Sequence, residues 1–483
     1  MAIWNKNKNG ATHGGDAVET ARDPEHGMKV DEMFKETSSE APYVYQPGTE
    51  EERLLVRKID IRLFPMLWIM FCMNYLDRTN IGNAKVGGMA HDLELTSSQY
   101  SLVLSIFFVG YLLWEVPSNM MLSRSTPRIF VPTLMVIWGA MCIAVAGIHN
   151  LGGMVAFRFV LGLVEAGFFP GIMLVISCWY KPEEMSKRVA GLYSATMMSG
   201  AFGGLLAGGL IEGMEGIRGI RGWKWMFIIE GIMTVAIAFA GYIILPNYPL
   251  TTPWLTEDEK KLAIARLVAT NDRAVDLDAE ERVSHWQGFK AAVSDPITWV
   301  MLVLYNMLSS VGTISYFFPS LLQTMGYEGR KLQFMTVPIY VVAMVVGCSA
   351  GVFADRTGMK AYTIVGGATL SVISFIICAT VNMPQVRYAF ICFGAAGIWT
   401  NIPIFLSWMV TMFDGREKRA VSIALVNGFG NLASVYGSFF WPSSDAPNYT
   451  TGFAITTALC GGAGLLVLAT KWKYGDKGVE YTG

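Results

Sequence analysis

Two charged residues interrupt a strongly apolar stretch, Met154–Tyr180, and their spacing could support chemistry inside a membrane. Arg158 and Glu165 are seven residues apart, so on a helix both project from one face, about 10 Å apart along the axis. Charged groups at membrane depth are unfavourable and usually face a bundle interior or a water-filled path. Gly162 and Gly167 would let a helix or ligand approach closely. The pair is interpreted as a transport centre; a buried structural ion pair or gate latch is the alternative.

Glu165 is the candidate for proton exchange. A carboxylate whose pKa is raised by desolvation can be neutral or charged at mid-membrane, since protonation removes an unpaired buried charge. Glu165 falls halfway along its apolar stretch. No histidine competes for this role, because all five lie outside the apolar stretches: His13, His26, His91, His149 and His285.

A fixed cation for an anionic ligand is predicted at Arg78. Arginine stays protonated and offers a bidentate fork to a carboxylate, and Arg78 lies in the outer half of the first apolar stretch. Asn74 could add a hydrogen bond. The adjacent Asp77 could hold Arg78 or latch a gate. An Asp77–Arg78 ion pair without ligand contact is the alternative.

Other polar residues in apolar stretches have less specific interpretations. Glu115 could couple or gate, or could be a structural partner, whereas Glu230 is expected to pack structurally. Amides can contact a ligand or join helices, and aromatic rings can stack on a ligand or pack. On these grounds the second part of the chain supplies the candidates Tyr316, Asn401, Trp408, Asn427 and Asn431.

The elements that must position these residues are transmembrane helices. The chain has 483 residues, of which 53% are hydrophobic and 16% charged, and its apolar residues fall in runs of roughly 20. We therefore predict an all-α membrane protein of twelve helices in two six-helix halves. The spans are Ile61–Ile81, Tyr100–Met121, Ile129–Ile148, Met154–Cys178, Val189–Ile211, Trp225–Leu245, Ile297–Leu321, Phe334–Ala354, Thr363–Val381, Tyr388–Phe413, Ala420–Trp441 and Gly452–Thr470.

Polar segments divide the chain. Residues 1–52 have no apolar period and are predicted to be a disordered tail, followed by a first half (53–245), a linker (246–295), a second half (296–471) and a short tail (472–483). Within the linker, Thr256 and Glu259 form a capping box for a short amphipathic helix, Thr256–Leu267. The net charge of −1 gives no basic field for nucleic acid, and the seven cysteines lack CxxC spacing. Neither a cofactor nor a metal site is predicted.

Lysine and arginine in the short loops predict that both termini are cytoplasmic. The loops on the inner side carry most of these residues, including Arg124, Arg128, Lys187 and Arg188. One cluster on the outer side does not fit the rule: Arg218, Arg221 and Lys224. We expect an integral membrane protein, in the plasma membrane, and a monomer.

The loop Gly351–Lys360 has the pattern G-x-x-x-D-R-x-G-x-K and resembles the signature loop of the major facilitator superfamily in its second-half copy. The first-half copy, Pro117–Arg128, lacks the acidic residue. Several further motifs occur in the order found in the anion:cation symporter family, and within it in the fungal allantoate and nicotinate permease branch. They are NYLDRTNIGNAKV (Asn74–Val86), GYLLWEVPSN (Gly110–Asn119), RFVLGLVEAGFFPG (Arg158–Gly171), GWKWMFIIEG (Gly222–Gly231), YFFP (Tyr316–Pro319) and SSDAPNYTTGF (Ser443–Phe453).

The resemblance implies roles for several residues. In this family, the acidic residue at the position of Glu165 is implicated in proton coupling, the arginine at Arg158 in pairing and gating, and the arginine at Arg78 in binding the substrate anion. The signature loop implies gating roles for Asp355, Arg356 and Lys360.

The predicted function is proton-coupled import of a small organic anion, a nicotinate-, allantoate- or pantothenate-like monocarboxylate. Alternating access would move two halves around a midplane site. Export of a secondary metabolite or drug is one alternative, although Ser199–Gly209 lacks the proline of drug–proton antiporters. A nutrient-sensing receptor without net transport is another. No enzyme motif is present.

Overall fold

The computed structural model describes residues 46–122, 125–277, 285–413 and 416–475, and these residues form helices and connecting turns without a β-strand. Most of the predicted tails and Arg124 lie outside this part of the chain. The first half contains α1 (Glu50–Ala84), α2 (Ala90–Asp92), α3 (Ser97–Leu122), α4 (Pro127–Ala144), α5 (Leu151–Glu165), α6 (Phe168–Trp179), α7 (Pro182–Gly213) and α8 (Gly222–Ile244).

The linker contributes two helices and the second half seven. These are α9 (Glu257–Leu277), α10 (His285–Ser294), α11 (Pro296–Gly312), α12 (Phe318–Thr324), α13 (Gly329–Thr357), α14 (Lys360–Thr380), α15 (Pro384–Thr411), α16 (Arg416–Gly437) and α17 (Thr450–Tyr474). Short helical turns occur at Lys85–Met89, Val145–Gly147, Ile217–Gly219, Pro249–Thr251, Thr313–Phe317 and Ser443–Asp445.

Ten spans in the described residues are long and apolar enough to cross a membrane. The helices at the predicted first and eleventh spans, α1 with 35 residues and α16 with 22, are also long enough to cross a membrane but are more polar. Helix α1 begins at Glu50, so the last residues of the predicted tail are helical. The architecture is that of the predicted all-α membrane protein with two six-helix halves, in which α1 and α16 complete the set of spans.

Local capping explains where several helices begin. The side chains of Thr49, Asn150 and Asp295 accept hydrogen bonds from backbone N–H groups in the first turns of α1, α5 and α11. Gly358 has φ 69° and ends α13 in the left-handed conformation. This glycine belongs to the G-x-x-x-D-R-x-G-x-K pattern of the signature loop.

The linker packs on the first half. The predicted capping box is present: Thr256 N–H donates to Glu259 Oε2 at 2.8 Å, and Glu259 N–H to Thr256 Oγ1 at 3.3 Å. The helix it starts is longer than predicted and ends at Leu277. Trp254 stacks on Trp179 with ring centroids 5.6 Å apart. We call this end of the bundle the linker end and the opposite end the far end.

Two cations of the positive cluster at the far end have structural partners. Arg221 Nε donates to Asp92 Oδ2 at 2.7 Å and its Nη1 to Glu215 Oε1 at 2.6 Å. Lys224 Nζ donates to the carbonyls of Ala146 and Ile148. The cluster that did not fit the charge rule therefore includes two cations with structural partners on the same side.

Candidate functional site

The helix that carries Glu165 is broken directly after it. The predicted span Met154–Cys178 corresponds to one apolar span, Leu151–Trp179, within which α5 ends at Glu165 and α6 begins at Phe168. Gly167 in the break lies so close to the Ser118 hydroxyl on α3 that a Cβ atom would collide with it. Gly162 likewise lies against the Phe107 carbonyl. Both glycines thus permit the close helix approach that the sequence predicted.

Glu165 lies at the centre of a buried polar cluster. Its side chain is fully inaccessible to solvent. Its Oε2 accepts hydrogen bonds from Arg78 Nε at 2.7 Å and from Asn74 Nδ2 at 2.8 Å. Three atoms of this cluster have no hydrogen-bond partner among the described residues: Glu165 Oε1, Arg78 Nη2 and Asn74 Oδ1. The cluster therefore has one donor nitrogen and two acceptor oxygens that can form further hydrogen bonds.

The ion pair of Glu165 is made across helices, not along its own. The alternative interpretation of the sequence pairs Glu165 with Arg158, but the salt bridge found in the described residues joins Glu165 to Arg78 on α1. Arg158 is also buried; its Nε donates to the Val103 carbonyl at 3.3 Å and interacts with Glu165 only electrostatically. The interpretation of Arg158–Glu165 as a direct ion pair is therefore wrong.

The phenyl ring of Phe107 lies against the guanidinium groups of both Arg158 and Arg78. The guanidinium carbons of Arg158 and Arg78 lie 4.5 Å and 5.3 Å from the centroid of Phe107. Arg78 also lies 5.0 Å from the ring of Tyr111. Aromatic faces stabilise a partly desolvated cation, so these rings stabilise two largely buried positive charges. Sequence reasoning missed Phe107 and Tyr111, although their i,i+4 spacing places both rings on one helix face.

Tyr316 is the predicted second-half residue that the structure brings to this cluster. It is half-buried and interacts electrostatically with Arg78, Arg158 and Glu165. Its ring lies 6.3 Å from that of Phe108, and its carbonyl accepts a hydrogen bond from Tyr100. The residue thus lies where the two halves meet beside the cluster.

Asp77 points away from Arg78. Its Oδ2 accepts a hydrogen bond from Trp138 Nε1 at 2.9 Å and a longer one from Thr234 at 3.5 Å. The predicted Asp77–Arg78 contact is wrong, because Arg78 pairs with Glu165; a gating role for Asp77 stays a prediction. No sequence pattern indicates Trp138 and Thr234 as the partners of Asp77, because they lie on other helices.

Glu230 and Glu115 have different surroundings. Glu230 is fully buried, and neither of its side-chain oxygens has a partner among the described residues. Glu115 is half-buried and interacts electrostatically with Arg78 and Tyr111. Of these two acids, only Glu115 is linked to the Arg78 cluster.

Two of the predicted ligand-binding residues pack inside the second half. With its amide oriented to satisfy both neighbours, Asn401 donates to the Ile364 carbonyl at 3.0 Å and accepts from Ala368 N–H at 3.2 Å. Trp408 is buried in the core of the second half. Asn401 thus joins α14 to α15, and the structure does not bring it to the Glu165 cluster.

Asn427 and Asn431 lie one turn apart on α16, and both are half-buried. In the signature loop, Lys360 Nζ donates to Ser407 Oγ at 2.8 Å, whereas Asp355 and Arg356 are exposed. The structure does not place these five residues in contact with Glu165 or Arg78, and their predicted roles stay predictions.

Comparison with known proteins gives a consistent result. Residues 67–438 match the family described as Major Facilitator Superfamily. The chain is 32% identical to the "MFS transporter prlL" of Fungal sp. (strain NRRL 50135), over 97% of this chain and 96% of the relative. It is 34% identical to the "MFS-type transporter cnsO" of Penicillium expansum, over 92% and 86% of the two chains.

Among solved structures, the chain resembles that of a D-xylose-proton symporter. The TM-score is 0.65 at 15% identity, and the match covers 86% of this chain and 98% of the symporter. Identity this low supports a common fold and carries no information about the substrate.

Proposed function

Because this chain belongs to the major facilitator superfamily, and is therefore a membrane transporter, we propose that it imports a small organic anion together with protons. The proposed substrate is a nicotinate-, allantoate- or pantothenate-like monocarboxylate. The linker end would face the cytoplasm, with both termini on that side of the plasma membrane. The cation pairing at the far end supports this orientation, because Arg221 and Lys224 do not act there as free positive charges.

The observation that carries the proposal is the buried ion pair between Arg78 and Glu165. A buried charge is tolerated when it is paired, and removing one partner leaves the other uncompensated. When Glu165 binds a proton, Arg78 loses its counter-charge. The guanidinium then favours another anion, which the carboxylate of a substrate can supply.

This arrangement links the two ligands thermodynamically. Protonation of Glu165 raises the affinity of Arg78 for an anion, and by reciprocity the bound anion raises the affinity of Glu165 for a proton. Loss of the proton on the cytoplasmic side restores the Arg78–Glu165 pair and displaces the anion. Proton and substrate would therefore cross together.

Arg158 and Asn74 have supporting roles in this scheme. Arg158, stacked on Phe107, keeps a second positive charge near Glu165, so that the carboxylate can lose its proton again after the substrate leaves. The amide of Asn74 fixes Oε2 of Glu165. Both residues position the exchanging group.

The substitution Glu165→Gln tests the coupling step. The amide cannot exchange a proton, so we expect concentrative uptake to be lost while exchange of internal for external substrate is retained. The measurement is uptake of labelled nicotinate, allantoate and pantothenate into proteoliposomes at pH 5 and 7, with and without an uncoupler. Glu94→Gln, at an exposed residue, is the control. If the wild-type protein concentrates its substrate equally well with an uncoupler, proton coupling is excluded.

A further inference from the structure

The two halves are joined at the far end by polar contacts between backbone and side chain. Gln333 Nε2 on α13 donates to the Asn83 carbonyl on α1 at 3.2 Å, and Ser101 Oγ on α3 donates to the Ser438 carbonyl at 2.8 Å. At the linker end, ion pairs such as Arg188–Asp60 join elements of the same half. The far end is thus the closed end of the bundle in this structure.

Helices α7 and α13 lie against each other along this closed seam. Gly200, Gly204 and Gly208 recur every fourth residue on α7, and a Cβ atom on each would meet a side chain of α13: Tyr340, Thr336 and Phe334 respectively. This spacing keeps the glycines on one face. The two helices therefore approach closely all the way to the far end, where α7 ends and α13 begins.

Glu212 lies at that point and caps a helix of the other half. It is in the last turn of α7, and its Oε1 accepts a hydrogen bond from the backbone N–H of Arg330, the second residue of α13, at 2.7 Å. The side chain of Arg330 is farther away, with Nε 3.8 Å from Oε2. The first N–H groups of a helix have no intrahelical acceptor and carry partial positive charge. A carboxylate from another element satisfies them.

Gly329 makes room for this cap. It has φ 53°, and a Cβ atom there would collide with the Glu212 carboxylate. The chain therefore has a glycine where a left-handed conformation and a close approach by the carboxylate are both required.

We propose that Glu212 is the latch of the far-end gate: its carboxylate holds the two halves closed by capping α13, and it must leave that helix before the far end can open. When the far end opens, the end of α7 moves away from the beginning of α13. Water then replaces Glu212 as the hydrogen-bond acceptor of the N–H groups at the start of α13. The latch acts on the equilibrium between closed and open far ends. It does not depend on which substrate is carried or on the role of Glu165.

The test measures the distance between the halves at the far end of the full-length protein. Spin labels are placed at His91→Cys and Gln385→Cys, which are exposed on opposite halves, in a background with the exposed Cys348 changed to Ser. Pulsed electron paramagnetic resonance then gives the distance distribution in lipid nanodiscs. For Glu212→Gln we expect the ratio of open to closed protein to rise about five-fold, the effect of weakening one charge-assisted hydrogen bond.

Glu215→Gln is the matched control. Glu215 is also a partly exposed acid near the end of α7, but it accepts from Arg221 and from Gly222 N–H within its own half. We expect its distance distribution to match that of the parent. Arg330→Ala keeps the backbone donor and should also leave the distribution unchanged. If Glu212→Gln behaves like Glu215→Gln, or if Arg330→Ala opens the far end as much as Glu212→Gln does, the cap is not the latch.

A second pair of variants covers the case in which Glu212→Gln fails to fold. Gly329→Ala should displace the carboxylate and open the far end, whereas Gly326→Ala, at φ 83° with no atom near the added Cβ, imposes backbone strain without the collision. Equal distance distributions for the two alanine variants would contradict the proposal.

Discussion

Arg78 approaches Glu165 through Nε and leaves Nη2 without a partner among the described residues. A guanidinium can therefore keep part of its contact with Glu165 while it receives a carboxylate on its other edge. Lysine, with a single ammonium group, cannot serve two ligands in this fixed geometry. The residue type thus matters as much as the charge.

For Arg78→Lys we expect the affinity for the transported anion to fall about ten-fold, the effect of losing one good charge-assisted hydrogen bond. The measurement is the substrate concentration at half-maximal exchange in proteoliposomes, for the carboxylate that the wild-type protein transports best. Arg218→Lys, in the far-end loop, should have no effect. An unchanged affinity in Arg78→Lys would place the anion site elsewhere.

At this scale, the sequence predicted which residues carry charge inside the membrane but not which of them meet. Glu165 and Arg78 are recognisable because ionisable residues in apolar spans are rare. Their pairing joins residues on two helices, and no spacing rule covers such a contact. Asp77 was assigned to Arg78 because they are adjacent, but consecutive helical residues point about 100° apart. Asp77 accordingly faces Trp138, while Arg78 faces Glu165.

At the scale of single elements, α3 and α5 pack at backbone distance, and Gly110 on α3 and Gly162 on α5 both allow it. The carbonyl of Phe107, whose ring stacks on both arginines, lies where a side chain at position 162 would begin. The packing of α3 against α5 therefore also fixes the position of the Phe107 ring beside the two arginines.

We expect Gly162→Ala to lower the free energy of unfolding by about 1–3 kcal/mol, the usual cost of overpacking, and to weaken substrate affinity because Phe107 must move. Thermal unfolding in detergent and exchange activity report the two effects. Gly152→Ala, on the exposed first turn of the same helix with ordinary contacts, is the control. Equal melting temperatures for the two variants would show that α3 and α5 can separate without cost.

A second element-scale prediction concerns the far-end turn around Asp92. Burial acts to raise the pKa of Asp92, but hydrogen bonds from Arg221 and Trp223 and the charge of Arg221 outweigh it, so the pKa lies below its ordinary value. A carboxyl with a depressed pKa stabilises the folded state above its ordinary pKa, about 4, and loses that effect as the pH falls through the folded-state value.

The melting temperature of the wild type should therefore exceed that of Asp92→Asn at pH 7, and the difference should shrink as the pH falls below about 4. Thermal unfolding of both proteins between pH 3 and 7 measures this difference in melting temperature. A difference that stays constant over this range would mean that the charge of Asp92 contributes nothing.

Hydropathy predicted the spans well because a run of about 20 apolar residues can cross a bilayer only as a helix. It predicted the helix ends less well, since capping and helix propensity continue beyond the membrane. Helix α1 begins at Glu50 and is capped by the side chain of Thr49, well before the first apolar residue of the predicted span. The interruption after Glu165 has a sequence signal that the hydropathy pattern does not use, because Pro170 has no N–H for the Ala166 carbonyl.

At the scale of the whole molecule, the linker helix α9 is attached to the first half through a fully buried arginine. Arg266 pairs with Glu184 in α7, and its Nε lies 3.6 Å from Glu52 in α1. Lys58 adds a salt bridge to Glu259 at 2.7 Å. The first half and the beginning of the linker therefore form one body at this end.

Arg266→Ala would leave two carboxylates near each other without this cation. We expect a loss of about 3 kcal/mol in the free energy of unfolding and faster cleavage of the segment between the halves by added protease. Lys261→Ala, at an exposed position on the same helix, should leave the free energy of unfolding and the rate of cleavage unchanged. Equal protease sensitivity of the two variants would contradict the attachment of α9 through Arg266.

The interruption between α5 and α6 has a consequence for solvent. An unbroken helix commits its main-chain carbonyls to its own ladder, whereas a helix end releases several of them. Here the ends fall beside Glu165, at a depth that side chains alone would keep dry. Pro170, four residues after Ala166, has no N–H to offer the Ala166 carbonyl, so a backbone acceptor without its helical donor lies next to Glu165 and can bind water.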